Sequence, residues 1–200
     1  MYSQNGEETH IARIVGDQSG RFLDIGAYNP KLFSNTRALY ERGWSGVMVE
    51  ASPGPFMDLL IEYGKCDRVE LVCAAVSTAA KCLTRFQHSE AGVGTSNESH
   101  YQKWRDKADF DGRFWASTIT LPELEHYFGR DFDFINIDVE GESAELFLYA
   151  VKDCRWRPKC WCVEHDGQQE QLTLQALKCG YSQYHINGEN VIYSRIYDGA

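Results

Sequence analysis

The amino-acid sequence predicts an α/β fold built on a doubly wound, mostly parallel sheet of seven strands that closes with an antiparallel hairpin. Short apolar runs alternate with amphipathic segments along the 200 residues, which is the order expected of a sheet with helices on both faces. The last two runs, residues 181–186 and 190–195, flank the turn sequence Asn-Gly-Glu, which suits a hairpin. The length fits one domain, and residues 1–200 are expected to form it.

The individual elements follow from their local signals. Besides the hairpin, strands are expected at residues 22–26, 46–51, 68–77, 132–139 and 159–166. Helices are expected at residues 34–43, 52–64, 142–151 and 169–180. Ser34 and Ser52 stand at N-cap positions, Pro53 follows at the first helical position, and Thr120 with Glu123 forms a capping box before a further helix.

Residues 89–114 interrupt this order. The segment is polar, contains glycine and serine, and carries the aromatic residues Tyr101 and Trp104. An irregular segment of this length is usually functional or disordered in a compact domain. Two interpretations stay open, a lid that covers the substrate and a flexible surface loop.

Composition and charge argue against several classes of function. The net charge of −9 and the isoelectric point near 5.1 disfavour a nucleic-acid partner, which needs clustered Lys and Arg. No apolar run reaches the ~20 residues of a membrane span, and the N-terminal residues lack the pattern of a signal peptide. The seven cysteines have no paired spacing, so we expect reduced thiols and a cytoplasmic location.

The first strand–helix turn indicates what kind of cofactor the fold would bind. It contains Gly26 alone, whereas a dinucleotide site uses three glycines to accommodate a pyrophosphate. A ligand without phosphates, such as S-adenosylmethionine, makes smaller demands on this turn, and Asp24 could face its amino group. Glu50 ends the second strand at the position of an acid that accepts hydrogen bonds from ribose hydroxyls. This order favours a Rossmann-like class I methyltransferase fold.

Several ordered motifs narrow this interpretation. The sequence resembles the FkbM family of methyltransferases in the segments 2–8, 22–53 and 74–77 and in the motif Ile-Asp-Val-Glu-Gly at 137–141. Residues 157–167 and 190–195 fit as well, so the resemblance covers nearly the whole chain. It implies an S-adenosylmethionine-dependent enzyme, typically one that O-methylates sugars or other hydroxylated small molecules or glycans. The chain departs from the family pattern at Asn29-Pro30 and at Asn136, where many members carry a lysine, so the usual substrate is not implied.

The resemblance also implies roles for individual residues. Asp24, Gly26 and Ala27 would form the cofactor turn, and Glu50 would be the ribose acid, followed by Ala51. The other implied cofactor residues are Gln4 and Asn35 near the methionine end and Ala75 and Val76, whose backbone would approach the adenine.

Polar residues at the ends of the later strands are candidates for the chemistry. Ligands of such sheets gather beyond the carboxyl ends of the strands, which groups Asp138, Glu140, Glu164, His165 and Asp166 in one region. Asp138 is predicted to contact the cofactor and to act as a base or substrate anchor, His165 is the competing base, and Glu164 is a further catalytic candidate. Glu140 has an alternative role as a helix cap. A divalent ion held by Asp138, Glu164 and His165 is possible, but no metal is predicted.

Two other functions stay open at this point. The first is a methyltransferase that acts on nucleic acid, for which Trp104 and Tyr101 could stack on an RNA end. The acidic charge opposes it, and the Asn/Asp-Pro-Pro-aromatic motif of base methylation is missing after the fourth strand. The second is a non-catalytic module that binds S-adenosylmethionine, because a fold alone does not establish an activity.

Overall fold

The computed structural model describes residues 1–89, 92 and 94–196. Its central sheet has seven strands in the spatial order β3-β2-β1-β7-β8-β10-β9. The strands are β1 (Arg21–Ile25), β2 (Ser45–Glu50), β3 (Val69–Cys73), β7 (Phe134–Ile137), β8 (Cys160–Glu164), β9 (Tyr181–Ile186) and β10 (Asn190–Arg195). Strand β10 runs antiparallel to both of its neighbours, β8 and β9. The other described strand pairs of this sheet are parallel. The predicted doubly wound sheet with a C-terminal hairpin is therefore confirmed, and its strand order is that of class I methyltransferases.

Six helices cover the two faces of this sheet. Helices α1 (Glu7–Val15), α2 (Arg37–Glu41) and α3 (Pro53–Tyr63) pack on one face, around a core that includes Phe22, Trp44 and Phe134. Helices α5 (Leu121–Phe128), α6 (Ser143–Lys152) and α7 (Gln169–Lys178) pack on the other face, around Ile135 and Trp161. Adjacent residues of β7 thus enter opposite cores, as the alternation of side chains along a strand requires.

Most predicted boundaries hold to within a few residues, and the structure corrects two of them. The predicted capping box of Thr120 and Glu123 opens α5, and Ser52 is the N-cap of α3 with Pro53 at its start. Helix α2 begins later than predicted, at Arg37, because the chain turns first and the Ser34 hydroxyl accepts a hydrogen bond from the Arg37 amide. Helix α1 was not predicted, although Ile11 and Val15, four residues apart, form a buried face on it.

The predicted strand 68–77 is two strands in different sheets. Strand β3 ends at Cys73, and β4 (Ala75–Ser77) joins a three-stranded sheet with β6 (Phe110–Thr120) and β5 (Leu83–Ser89). The chain leaves the main sheet because β6 offers β4 a parallel partner, with Val76 opposite Ile119. The segment 89–114 is more regular than its sequence indicates, since it contains α4 (Glu98–Trp104) and the start of β6.

The arrangement positions one region for function. The carboxyl ends of β1, β2 and β7 meet along one edge of the parallel sheet, and α4 lies across that edge near the ends of β7 and β8. Nowhere in the described ranges does a helix have the length and apolar character needed to cross a membrane.

Candidate active site

A cavity of about 230 Å³ lies at the carboxyl ends of the parallel strands. This is the position where ligands bind in open α/β sheets. Eleven of the residues singled out in the sequence line it: Gln4, Asp24, Gly26, Ala27, Asn35, Glu50, Ala51, Ala75, Val76, Asp138 and Glu164. The cavity wall also includes side chains from α4, among them His100, Lys103 and Trp104, which the sequence analysis did not assign to the cofactor or the chemistry.

A buried polar network forms the base of the cavity. Asp24 on β1 is 2% exposed and accepts hydrogen bonds from the Thr36 hydroxyl, at 2.5 Å, and from the Asn136 amide, at 2.9 Å. Burial raises the pKa of Asp24, although the two hydrogen bonds act in the opposite direction. Asn136 is placed for this contact because β1 and β7 pair in register, with Asp24 opposite Asn136.

Asn35 extends this network towards the cavity. Its side-chain amide donates to the Asn136 side-chain oxygen at 3.0 Å, so Asn136 links Asp24 to Asn35. The side-chain oxygen of Asn35 is buried and accepts no hydrogen bond from the described part of the chain. A buried acceptor without a donor is costly, and Asn35 also lines the cavity.

Glu50 is fixed at the end of β2 by the backbone around it. One carboxylate oxygen accepts from the Tyr28 amide at 2.9 Å, and the other accepts from the Ser52 amide at 2.6 Å. Burial raises the pKa of Glu50, and these backbone hydrogen bonds oppose the shift. Each carboxylate oxygen has a second acceptor site, so Glu50 can accept further hydrogen bonds from a ligand in the cavity.

Gly26 is required by a close approach of the protein backbone. It has a φ of +84°, in the left-handed region that favours glycine. A Cβ atom here would overlap the carbonyl oxygen of Asp138, because the turn after β1 packs directly on the end of β7. The amides of Gly26 and Ala27 both donate to the carbonyl oxygen of Val49, which ties the same turn to β2.

The partly buried carboxyl group of Asp138 and the buried carboxyl group of Glu164 face each other at the other end of the cavity. Asp138 follows β7, and Glu164 ends β8. One Glu164 oxygen accepts both the Ser143 hydroxyl, at 2.8 Å, and the Glu140 amide, at 3.1 Å. Burial, with the charges of Glu140 and Asp166, raises the pKa of Glu164 to about 8. Burial and the charge of Glu164 also raise the pKa of Asp138 well above its ordinary value.

Glu140 has an unusual backbone and a charged partner. Its φ of +55° is rare outside glycine, so neighbouring contacts must hold it. One Glu140 carboxylate oxygen lies 2.9 Å from Nε2 of His100, and Nδ1 of His100 lies 3.6 Å from an oxygen of Asp166. Burial alone would lower the pKa of His100, but Asp166 and Glu140 outweigh it and raise the pKa to about 9. The imidazole is therefore a cation at neutral pH.

The structure does not bring His165 to the cavity. Strand β8 ends at Glu164, and the following residue turns away towards the loop before β10. Nε2 of His165 lies 3.1 Å from the Asn187 carbonyl oxygen, and Nδ1 accepts a hydrogen bond from the Gly167 backbone amide. Asp138, Glu164 and His165 therefore do not come together as ligands of one ion. Among the described residues, Glu140 joins Asp138 and Glu164 instead, with one carboxylate oxygen of each residue within 4.8 Å of the others.

The fold and this cavity define a class of protein, the Rossmann-like methyltransferases, whose ligands bind at this edge of the sheet. The chain belongs to the FkbM methyltransferase family, because the model of the methyltransferase FkbM domain matches residues 24–187. It therefore carries a methyltransferase domain. A comparison with curated proteins finds no match.

Solved structures agree on the fold. A methyltransferase FkbM from Methylobacillus flagellatus is similar with a TM-score of 0.54 and 12% identity, over 88% of this chain and 43% of that chain. The methyltransferase domain of METTL16 has a TM-score of 0.51 and 14% identity, over 96% of this chain and 66% of that chain. Sp1610 of Streptococcus pneumoniae, a proposed tRNA (m1A22) methyltransferase, has a TM-score of 0.50 and 11% identity, over 98% of this chain and 72% of that chain. At these identities the likeness concerns the fold alone.

The residues of the cavity fit S-adenosylmethionine as a ligand. The cofactor offers hydroxyl and ammonium donors, and the buried Asn35 oxygen and the two fixed oxygens of Glu50 are acceptors. The turn after β1 has Gly26 alone, without the further glycines that let a pyrophosphate approach the backbone. The acceptor groups of this end of the cavity therefore match a ligand with a positive charge and no phosphate.

Proposed function

We propose that the protein is an S-adenosylmethionine-dependent methyltransferase that methylates a hydroxyl group of a sugar, another small molecule or a glycan. One observation carries the proposal. Acceptor groups for a cofactor, those of Asn35 and Glu50, line the same cavity as the carboxyl pair of Asp138 and Glu164. The first group would bind the cofactor, and the second would remove the proton of the acceptor hydroxyl.

Binding of the cofactor is assigned to residues of the first three strand ends and of the N-terminal segment. Glu50 would hold the ribose hydroxyls, and the Asn35 oxygen would accept from the amino group, supported by Asn136 and Asp24. Backbone atoms of Ala75 and Val76 would contact the adenine. Ala27, Ala51 and Gln4 complete the proposed wall, in line with their positions around the cavity.

The bound cofactor would supply an activated methyl group on a sulfonium, so the protein's task is to orient the acceptor and remove its proton. We assign the removal of this proton to the carboxyl pair of Asp138 and Glu164. A pKa near the working pH suits a general base, and the pKa of Glu164 is about 8. Asp138 lies between this base and the cofactor turn, since its carbonyl oxygen packs on Gly26.

The charges of the cavity favour an acceptor without phosphates. Besides the carboxyl pair, the acidic residues Glu140, Glu142 and Glu189 line the wall, and they outnumber its cationic residues His100 and Lys103. Phosphate groups would be repelled there, and hydroxyl groups would find acceptors. This argues against an RNA end as the substrate, although Trp104 lines the cavity and is able to stack on a base.

The test is a transfer assay with S-adenosylmethionine labelled on its methyl group. Neutral glycosides, phosphorylated sugars, and capped and uncapped RNA would be compared as acceptors at low salt. We expect label on a neutral hydroxylated acceptor and none on RNA. Label on RNA alone would refute the assigned substrate class, and binding of the cofactor without transfer to any acceptor would favour a non-catalytic module.

Two further proposals concern the conditions of the reaction. We propose that no divalent ion takes part, because His100 already balances the charge of Glu140; a loss of transfer in EDTA that Mg²⁺ restores would contradict this. We also propose a cytoplasmic location, because all seven cysteines are free thiols. A disulfide found by mass spectrometry in the protein isolated from its source would contradict it.

A further inference from the structure

The cavity is small for the proposed reaction. Its volume of about 230 Å³ lies below the ~300–1,000 Å³ of typical ligand sites, and the reaction requires space for a cofactor and an acceptor together. A wall that moved would supply this space. Residues of α4 line the cavity but belong neither to the main sheet nor to the helices packed on its two faces.

Residues 95–104, here called the lid, contact three consecutive residues of the loop after β7. The Thr95 hydroxyl donates to the Glu140 carbonyl oxygen at 2.5 Å, the Asn97 side-chain amide donates to the Gly141 carbonyl oxygen at 3.0 Å, and the Ser96 hydroxyl donates to the Glu142 carboxylate at 2.9 Å. These contacts are hydrogen bonds, which can break and reform without exposing a large apolar surface.

His100 makes the charged contact of the lid with the same loop. Its side chain is 4% exposed and lies between the carboxylates of Glu140 and Asp166. The fit is tight, because a Cβ atom on Gly141 would lie 2.7 Å from the Cβ of His100. Lys103, on the same helix, adds a positive charge near Asp166. Contacts between charged groups are about twice as strong as neutral hydrogen bonds.

We propose that the lid opens to admit the acceptor, and that His100 is the positioning residue that holds it closed through Glu140 and Asp166. Closure then places Trp104 and Lys103 at the wall of the cavity and fixes the Glu140 carboxylate beside the carboxyl pair. The proposal rests on the proposed function only in naming the acceptor as the molecule admitted.

Trypsin tests the lid without any acceptor, since Lys103, Arg105 and Lys107 are exposed cleavage sites in and just after it. Cleavage needs local opening. His100→Gln is expected to raise the cleavage rate at these sites about tenfold. The matched control is His126→Gln on α5, an exposed histidine remote from the lid contacts, which should leave the rate unchanged.

A double-variant comparison separates the proposed contact from general loosening. Glu140→Gln should also raise cleavage about tenfold, and the double variant with His100→Gln should remain near tenfold, because both changes remove one contact. Rescue by Glu140→Asp towards the wild-type rate would support the same contact. Equal cleavage of wild type and His100→Gln, or a rise of about a hundredfold in the double variant, would overturn the proposal.

Calorimetry with S-adenosylmethionine keeps the two proposals apart. His100→Gln should bind the cofactor as tightly as the wild type, because Asn35 and Glu50 are not in contact with the lid histidine. A wild type that binds no cofactor would refute the proposed function and would leave the trypsin result standing. A cofactor affinity that falls strongly in His100→Gln would instead place His100 in the cofactor site and would refute its role as a lid residue.

Discussion

Replacing Glu164 with glutamine should make the protein more stable at pH 8 and leave its stability at pH 4 unchanged. Burial and neighbouring charges raise the pKa of Glu164 from 4.5 to about 8. Between these values the folded protein binds more protons than the unfolded chain, so the free energy of unfolding falls as the pH rises. Below 4.5 both states are protonated and the variant loses its advantage.

The magnitude follows from the separation of the two pKa values. A difference of about 3.5 pH units corresponds to about 5 kcal/mol as an upper limit, and relaxation around the ionised group reduces the expected gain to about 2 kcal/mol. Glutamine keeps the local structure, because the Ser143 hydroxyl and the Glu140 amide donate to the same Glu164 oxygen, which a glutamine oxygen can replace.

Urea unfolding at pH 4, 6 and 8 measures this effect, with Glu170→Gln as the control. Glu170 is an exposed carboxylate on α7, and its replacement should shift the unfolding midpoint little at any pH. A Glu164→Gln variant that is less stable than the wild type at pH 8, or equally stabilised at all three values, would refute the account of the carboxyl pair.

The remaining predictions concern the cavity wall. Gly26→Ala should lower the free energy of unfolding by about 2–4 kcal/mol in a urea titration. The control Gly54→Ala, with open space at its Cβ position, should lower it by less than about 0.5 kcal/mol. Equal effects of the two substitutions would contradict the close contact between Gly26 and Asp138. Glu50→Gln should weaken binding of S-adenosylmethionine about tenfold in calorimetry, and an unchanged affinity would remove Glu50 from the cofactor site. His165→Gln should leave that affinity unchanged, and a loss comparable to Glu50→Gln would bring His165 back into the site.

Part of the candidate cofactor wall could be predicted from strand ends. Asp24 and Glu50 stand at the carboxyl ends of apolar runs, and parallel strands bring such ends to one edge of the sheet. Gln4, Asn35, Ala75 and Val76 were implied by the resemblance to the FkbM family instead. The register that places Asn136 opposite Asp24 required the structure.

The acceptor end could not be predicted in the same way. His100 lies in a segment without apolar periodicity, and its partners Glu140 and Asp166 are far away in the sequence. The helix that carries it begins after the N-cap residue Asn97, whose side chain accepts from the His100 backbone amide. His165 was placed among the strand-end residues, but β8 ends one residue earlier, so the alternation of a strand no longer directs its ring.

Titration calorimetry of the wild-type protein with S-adenosylmethionine tests the central claim most directly. We expect one bound molecule per chain, with an affinity that Asn35→Ala and Glu50→Gln both reduce. Absence of binding at millimolar cofactor, or tighter binding of NADH than of S-adenosylmethionine, would contradict it.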